Sequence, residues 1–193
     1  MKRFTICVAV PLAALLALTL AVPAARATML RFVPFEEQVD SASVIVVAVA
    51  ESSRPYWNAS HSLIFTDVAF RVEQTVKGEP GASLRVTLPG GVIDRVGQEV
   101  DGAPRFDSGA RYVLFLEPTG DGGFRVVGFS QGSYTVAKGA DGKSKVAPQM
   151  SQAGNVHLLG ASSAAASGSQ SLEEFLSRVR SRLTQIKVQS QDK

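Results

Sequence analysis

Three residues could together carry nucleophilic chemistry. Ser130 stands in Gly-Phe-Ser-Gln-Gly, residues 128–132, which satisfies G-x-S-x-G, and Asp141 and His157 follow it in the chain order of a Ser-Asp-His triad. Such a serine becomes a nucleophile only where a strand, a sharp turn and a helix lift its hydroxyl out of the fold. Here Ser-Tyr-Thr-Val follows the motif in a strand-like pattern, and Asp141 and His157 fall in Gly/Ser-rich sequence. The motif therefore reads as a bulged strand, and no residue is assigned a catalytic role. A secreted serine hydrolase using Ser130 is the alternative.

Metal and phosphate chemistry find little material. The two histidines, His61 and His157, lack a spaced ligand partner, and a zinc site needs three or four ligands. Asp101 and Asp107 lie too sparsely for a calcium loop. Lys-Gly-Glu-Pro-Gly-Ala-Ser, residues 77–83, lacks the G-K-[ST] ending of a phosphate loop and leads into a strand. No metal or cofactor is assigned. Asn58-Ala59-Ser60 is a glycosylation acceptor if the source glycosylates.

Recognition residues are better represented. Arg-Pro-Tyr-Trp-Asn-Ala-Ser-His, residues 54–61, reads as a loop carrying Tyr56 and the single tryptophan, Trp57. A long stretch, residues 88–106 (LPGGVIDRVGQEVDGAPRF), places Val92, Ile93, Val96 and Val100 among glycines, with Arg95, Arg105 and Phe106. Tyr, Trp and Arg are enriched at interface hot spots. Tyr56, Trp57, Arg95, Arg105 and Phe106 are therefore the candidate binding residues. The other reading is that the aromatics cap the fold and the stretch is a connector folding back over one end.

The elements that must position these residues are mostly strands. Residues 34–43 read as a brief helix, with Pro34 and two glutamates at its start. Residues 44–52 and 111–117 are apolar on both faces, as buried strands are. From Leu63 to Lys77 the chain alternates, with Ile64, Val68, Phe70, Val72 and Val76 on one face and Asp67, Arg71, Glu73 and Lys77 on the other. Residues 83–88 and 124–136 supply further strands, the last broken near Gly128 and Gly132. Five or so short strands with a helix before and a helix after predict a mostly β fold, a small barrel or a strongly coiled sheet.

The chain ends organise differently. Lys2 and Arg3, an apolar run from Ile6 to Val22, and Ala25-Arg26-Ala27 make a signal peptide over residues 1–27, so the protein is expected to be exported, periplasmic or secreted. The barrel domain then spans 28–138. Residues 139–170, rich in Ser, Ala and Gly, read as a flexible linker. Residues 171–193 read as an amphipathic helix with Ser171 and Glu174 as a capping box and Leu172, Phe175, Leu176, Val179, Leu183 and Ile186 as its apolar stripe. That stripe is expected to dock on the body, to meet a partner, or to make the one membrane contact open to this chain. The sole cysteine, Cys7, lies in the signal segment. Without the signal the chain is formally neutral, with 17 basic and 17 acidic residues, and residues 28–138 carry net −3. A nucleic-acid partner would call for a basic footprint, which the body lacks.

Three segments taken together carry a family resemblance: VIVVAVAES (44–52), FTDVAFRVEQTVKGEPG (65–81) and DSGARYVLFLEP (107–118). A strand entered from a short helix, then F-x-V-x-x-x-x-K-G, then G-x-R-Y-x-x-F, resembles the netrin-like domain, whose best-known members are the tissue inhibitors of metalloproteinases. More closely, the chain is similar to a group of bacterial exported proteins of that shape. The resemblance covers residues 41–134. It implies an OB-like five-stranded barrel that acts by binding protein, with an exported protease among the partners it suggests. The inhibitors use an N-terminal cysteine to chelate the target's zinc, and no cysteine follows the signal segment here, so that mechanism does not carry over. The expected function is an exported, non-enzymatic module that recognises a protein or envelope component through loops at the barrel end. A membrane-surface scaffold acting through the terminal helix is a further alternative.

Overall fold

Strands that are apolar on both faces require a core on each side, and this chain builds two. The computed structural model describes residues 28–149, 156–159 and 170–191. The segment read as a signal peptide, residues 1–27, lies outside the described residues, as do residues 150–155 and 160–169 of the stretch read as a linker.

In chain order the elements are β1 (Thr28–Arg31), α1 (Phe35–Ser41), β2 (Val44–Trp57), β3 (Ile64–Lys77), β4 (Ser83–Pro89), β5 (Gly91–Ile93), β6 (Val96–Gln98), β7 (Arg111–Pro118), β8 (Phe124–Val126), β9 (Ser133–Lys138), β10 (Ser144–Pro148), β11 (Val156–Leu159), β12 (Gln170–Ser171) and α2 (Leu172–Gln191). Five strands close a barrel in the order β2–β3–β4–β8–β7 and back to β2. All contacts in the ring are antiparallel except β4 with β8, joined at Val86 and Phe124. This is the OB-like barrel. The other half of the β7 edge carries β9, then β10 and β12. Separately, β1 pairs in parallel with β11.

Alternate residues of β2 and β7 supply the two cores. Val46, Ala48, Tyr112, Leu114 and Leu116 point into the barrel with Val68, Phe70 and Val86. Ile45, Val47, Val113 and Phe115 point outward, where Val39 of α1, Val136, Val146 and the stripe of α2 cover them. The β2–β3 ladder shows register shifts at Ile45/Val46, Val47/Ala48 and Ala50/Ser52. Such irregularities let two 14-residue strands coil around a narrow barrel. They also divide the face read as continuous in β3: Ile64, Val68 and Phe70 are buried and Val72 packs in the barrel, while Val76 packs against the helical core.

Two segments differ from their sequence reading. Residues 54–57 continue β2, because they pair with β3 as far as Trp57 opposite Ile64, and the loop shrinks to residues 58–63. Residues 144–148, read as linker, form β10 against β9, with Val146 buried in the outer core. The free edge of β9 and the apolar surface beneath it give that short stretch a partner which no local pattern announces.

Helix α2 packs onto the body. Leu172, Phe175, Leu176 and Val179 are buried, and Phe175 meets Phe35, Phe115 and Tyr134 at ring-centre distances of 5.5, 6.1 and 4.7 Å. The capping box forms as expected, with Glu174 N–H donating to Ser171 Oγ and Ser171 N–H to Glu174 Oε2, both at 3.2 Å. Polar ties hold both helices. Arg182 Nε donates to Asp40 Oδ1 at 2.8 Å, and the Arg178 guanidinium lies 4.3 Å from the Phe35 ring centre. Helix α1 has no basic residue in its last turn, and Lys77 Nζ from β3 takes that place on the Val39 and Asp40 carbonyls at 2.8 and 3.2 Å. Among the described residues no helix is long and apolar enough to cross a membrane.

Candidate binding site at the open end of the barrel

The β2–β3 hairpin outruns the rest of the ring. Strand β7 accompanies β2 only over Val44–Val49, so among the described residues those from Glu51 onward have β3 as their sole ladder partner. The hairpin's turn is built by Asn58. Its Oδ1 accepts from the N–H groups of Ser62 and Leu63 at 2.9 and 3.1 Å, and its own N–H donates to the Leu63 carbonyl. The Asn58 carboxamide thus serves the turn, its nitrogen donating to Ser62 Oγ at 3.2 Å.

Because residues 56 and 57 lie in a strand, their side chains take opposite faces. Tyr56 stacks on Phe65 on the outer wall, at 6.2 Å between ring centres. Trp57, opposite Ile64, shares the mouth side with Pro55 and stacks on His61, also at 6.2 Å. The two aromatics read as neighbours in a loop are therefore separated by the sheet.

The connection after β4 turns back over this hairpin. Ile64 N–H donates to Gln98 Oε1 at 2.9 Å, Gly90 N–H to the Ile64 carbonyl at 2.8 Å, and Thr66 Oγ1 to the Gly90 carbonyl at 2.7 Å. Approach this close needs glycine: a Cβ on Gly91, at φ +143°, would sit 2.4 Å from Thr66 Oγ1. Beyond that anchor, β5 and β6 form a small hairpin with Arg95 exposed at its turn beside Asp94, whose φ is +52°. Val92 and Val96 stand 65% and 50% exposed, and Leu63 on the neighbouring turn is also exposed. Sequence pattern alone leaves the 88–106 stretch as loop because its two strands are only three residues long each.

Between the hairpin, the end of β4 and residues 97–106 lies a cleft of about 570 Å³. Val68, Leu88 and Phe106 floor it, Val92, Val100 and Pro104 wall it, and Ser53, Thr66, Glu99 and Arg105 bring polar groups to it. Phe106 is the plug: it packs edge-on against both Phe70 and Tyr112 at 4.9 Å, and Asp107 N–H donates to the Tyr112 hydroxyl at 2.9 Å. Arg105 is ion-paired with Glu99 at the exposed rim, and its main chain exchanges two hydrogen bonds with the Gln149 side chain. Of the five candidate residues, Arg105 and Phe106 thus line the cleft, Trp57 lies on the same side of the hairpin, Arg95 tips the β5–β6 turn, and Tyr56 faces away.

Tyr56 belongs to a network that the sequence reading missed. Asp67 accepts from Thr87 Oγ1 at 2.7 Å and from Arg85 Nη1 at 3.2 Å, and Arg85 Nη2 reaches Asp121 Oδ2 at 2.9 Å. Burial, and then the Asp67 charge, raise the Tyr56 phenol above its ordinary range, against a hydrogen bond with Thr87 that lowers it. Alternation places Asp67 and Arg85 outside, but only the β3–β4 register, Asp67 opposite Thr87, brings them together.

The G-x-S-x-G segment forms the turn between β8 and β9. Ser130 is buried, and the chain runs on into β9 rather than a helix. Phe129 holds φ +70°, and Gln131 ties the turn to the N-terminal segment, accepting from Val33 N–H and donating to the Arg31 carbonyl, both at 2.8 Å. Asp141 sits in the β9–β10 turn near Lys145, and His157 falls in β11, whose side chains lie outside the described residues. Among the described residues no group of three or more His, Cys, Asp or Glu side chains is placed to hold a metal ion. No protein-family model and no curated protein matches this chain.

Proposed function

We propose that the protein is an exported, non-enzymatic binding module of netrin-like type that recognises a protein partner through the open end of its barrel. One observation carries the reading: a cleft of about 570 Å³ opens where the β2–β3 hairpin extends past the end of the closed ring, next to exposed Val92 and Val96 on a hairpin held in place by three hydrogen bonds. Apolar side chains displayed on a fixed scaffold lose little entropy on binding, and pockets at the mouths of β-barrels are common ligand sites. Arg105 and Glu99 at the rim would orient the partner, and the valines and Trp57 would supply buried area. The apolar stripe of α2 is already occupied by the body, so the barrel mouth is favoured over the helix as the recognition surface.

Co-purification from the exported fraction tests this. The unaltered chain is expected to retain a partner that Val92→Asp loses and that Trp57→Ala and Arg95→Ala weaken about tenfold or more, the range of interface hot spots. Retention of the same partner at the unaltered level by all three variants would refute the mouth as the site.

A further inference from the structure

We infer that the exposed edge of β2 at residues 53–57 is a strand-addition site, taking an extended, apolar-bearing segment of the partner as an extra strand with side chains set into the barrel-mouth cleft. The inference rests on the proposed binding role and specifies the partner's conformation. Asn58 N–H bonds to the Leu63 carbonyl, so in β2 the backbone groups of Tyr56 and Arg54 face β3 and those of Ser53, Pro55 and Trp57 face away. On that outward side the ladder with β7 ends at Val49. The departing chain adds Gly109 N–H to the Ala50 carbonyl, Ala50 N–H to the Ala110 carbonyl and Ser108 Oγ to the Glu51 carbonyl. Gly109, at φ +81°, turns it off the strand line. Among the described residues nothing pairs with the outward N–H groups of Ser53 and Trp57 or the outward carbonyls of Ser53, Pro55 and Trp57.

Main-chain groups repeating every second residue are matched in spacing by another extended main chain. Directly opposed residues of two paired strands share a face. A segment laid along this edge would therefore direct alternate side chains to the mouth side, where Ser53 already borders the cleft and Val68, Leu88, Val100 and Phe106 line it. Apolar side chains match that lining. A second copy of this chain fits less well, because edge-to-edge pairing would bring a donor-less proline from each copy into one ladder, whereas a partner strand meets only Pro55.

The probe is a fluorescein-labelled peptide of alternating threonine and leucine, titrated against the exported chain, with amide hydrogen exchange followed by NMR. The Ser53 and Trp57 amides are expected to gain protection, and Ser53→Pro, which removes an outward donor and no β3 bond, to weaken binding about three- to tenfold. An all-threonine peptide should bind more weakly than the leucine-bearing one. Absent protection at both amides with millimolar peptide overturns the inference, as does protection appearing instead along β10, or concentration-dependent protection without peptide, which would assign the edge to a second copy. Should Ser53→Pro fail to fold, exchange in the unaltered chain decides alone. A captured partner lost in Val92→Asp but unaffected by Ser53→Pro would refute strand addition while leaving the mouth as the binding site.

Discussion

Truncating Phe175 to alanine tests whether α2 is part of the body or an appendage. The ring is 1% exposed, lies edge-on to Phe35 and Phe115, and tilts against Tyr134 at 4.7 Å between ring centres. Phe→Ala at such a site costs about 3–5 kcal/mol, which includes aromatic pair terms of roughly 0.5–1.5 kcal/mol each. For a chain of this size the lower figure corresponds to a drop in Tm of about 10 °C. Urea unfolding should be followed by circular dichroism for the helix and by Trp57 fluorescence for the barrel. Trp57 suits the purpose because it pairs with Ile64 at one end of β3, whereas α2 packs near Val76 at the other. Both signals are expected to shift together to lower urea. Val188→Ala, at an exposed position of the same helix, should stay within about 0.5 kcal/mol. Loss of helix signal in Phe175→Ala with an unmoved Trp57 transition would show that the stripe is dispensable to the barrel. It would then return the helix to consideration as a membrane or partner surface.

Two further outcomes follow from buried and charged ties. Gln131→Leu leaves the Val33 N–H without its acceptor beneath α1, so urea unfolding should show a loss of about 1–3 kcal/mol, and a variant within 0.5 kcal/mol of the unaltered chain would refute the role given to this residue in G-x-S-x-G. The hydrogen bond from Arg182 lowers the Asp40 carboxyl below 3.8, against a smaller effect of burial, and the Arg182 and Lys77 charges lower it further. A depressed carboxyl contributes stability above its unfolded value and loses it as pH falls through the folded one. The stability difference between the unaltered chain and Asp40→Asn should therefore be present at pH 5–7 and shrink below about pH 4, and a difference independent of pH would refute the pairing.

What the sequence by itself determined was local and periodic. Strands apolar on both faces at residues 44–52 and 111–117 required cover on two sides, the alternation in 63–77 put charges outward, and Ser171 with Glu174 marked a helix start. Each rests on a spacing repeated within one element, so each is visible without the fold. Tertiary structure decided the rest. Trp57 became a strand residue because β3 supplied a partner, β10 formed because β9 offered an edge, and Asp67 met Arg85 through the β3–β4 register. Tyr56 and Trp57, adjacent in sequence, were parted by the two-residue period of a strand whose extent depends on distant pairing. The cleft has the same origin. It exists because β7 leaves β2 early while the 88–106 connection folds back, and sequence separation hides both the gap and the groups that border it.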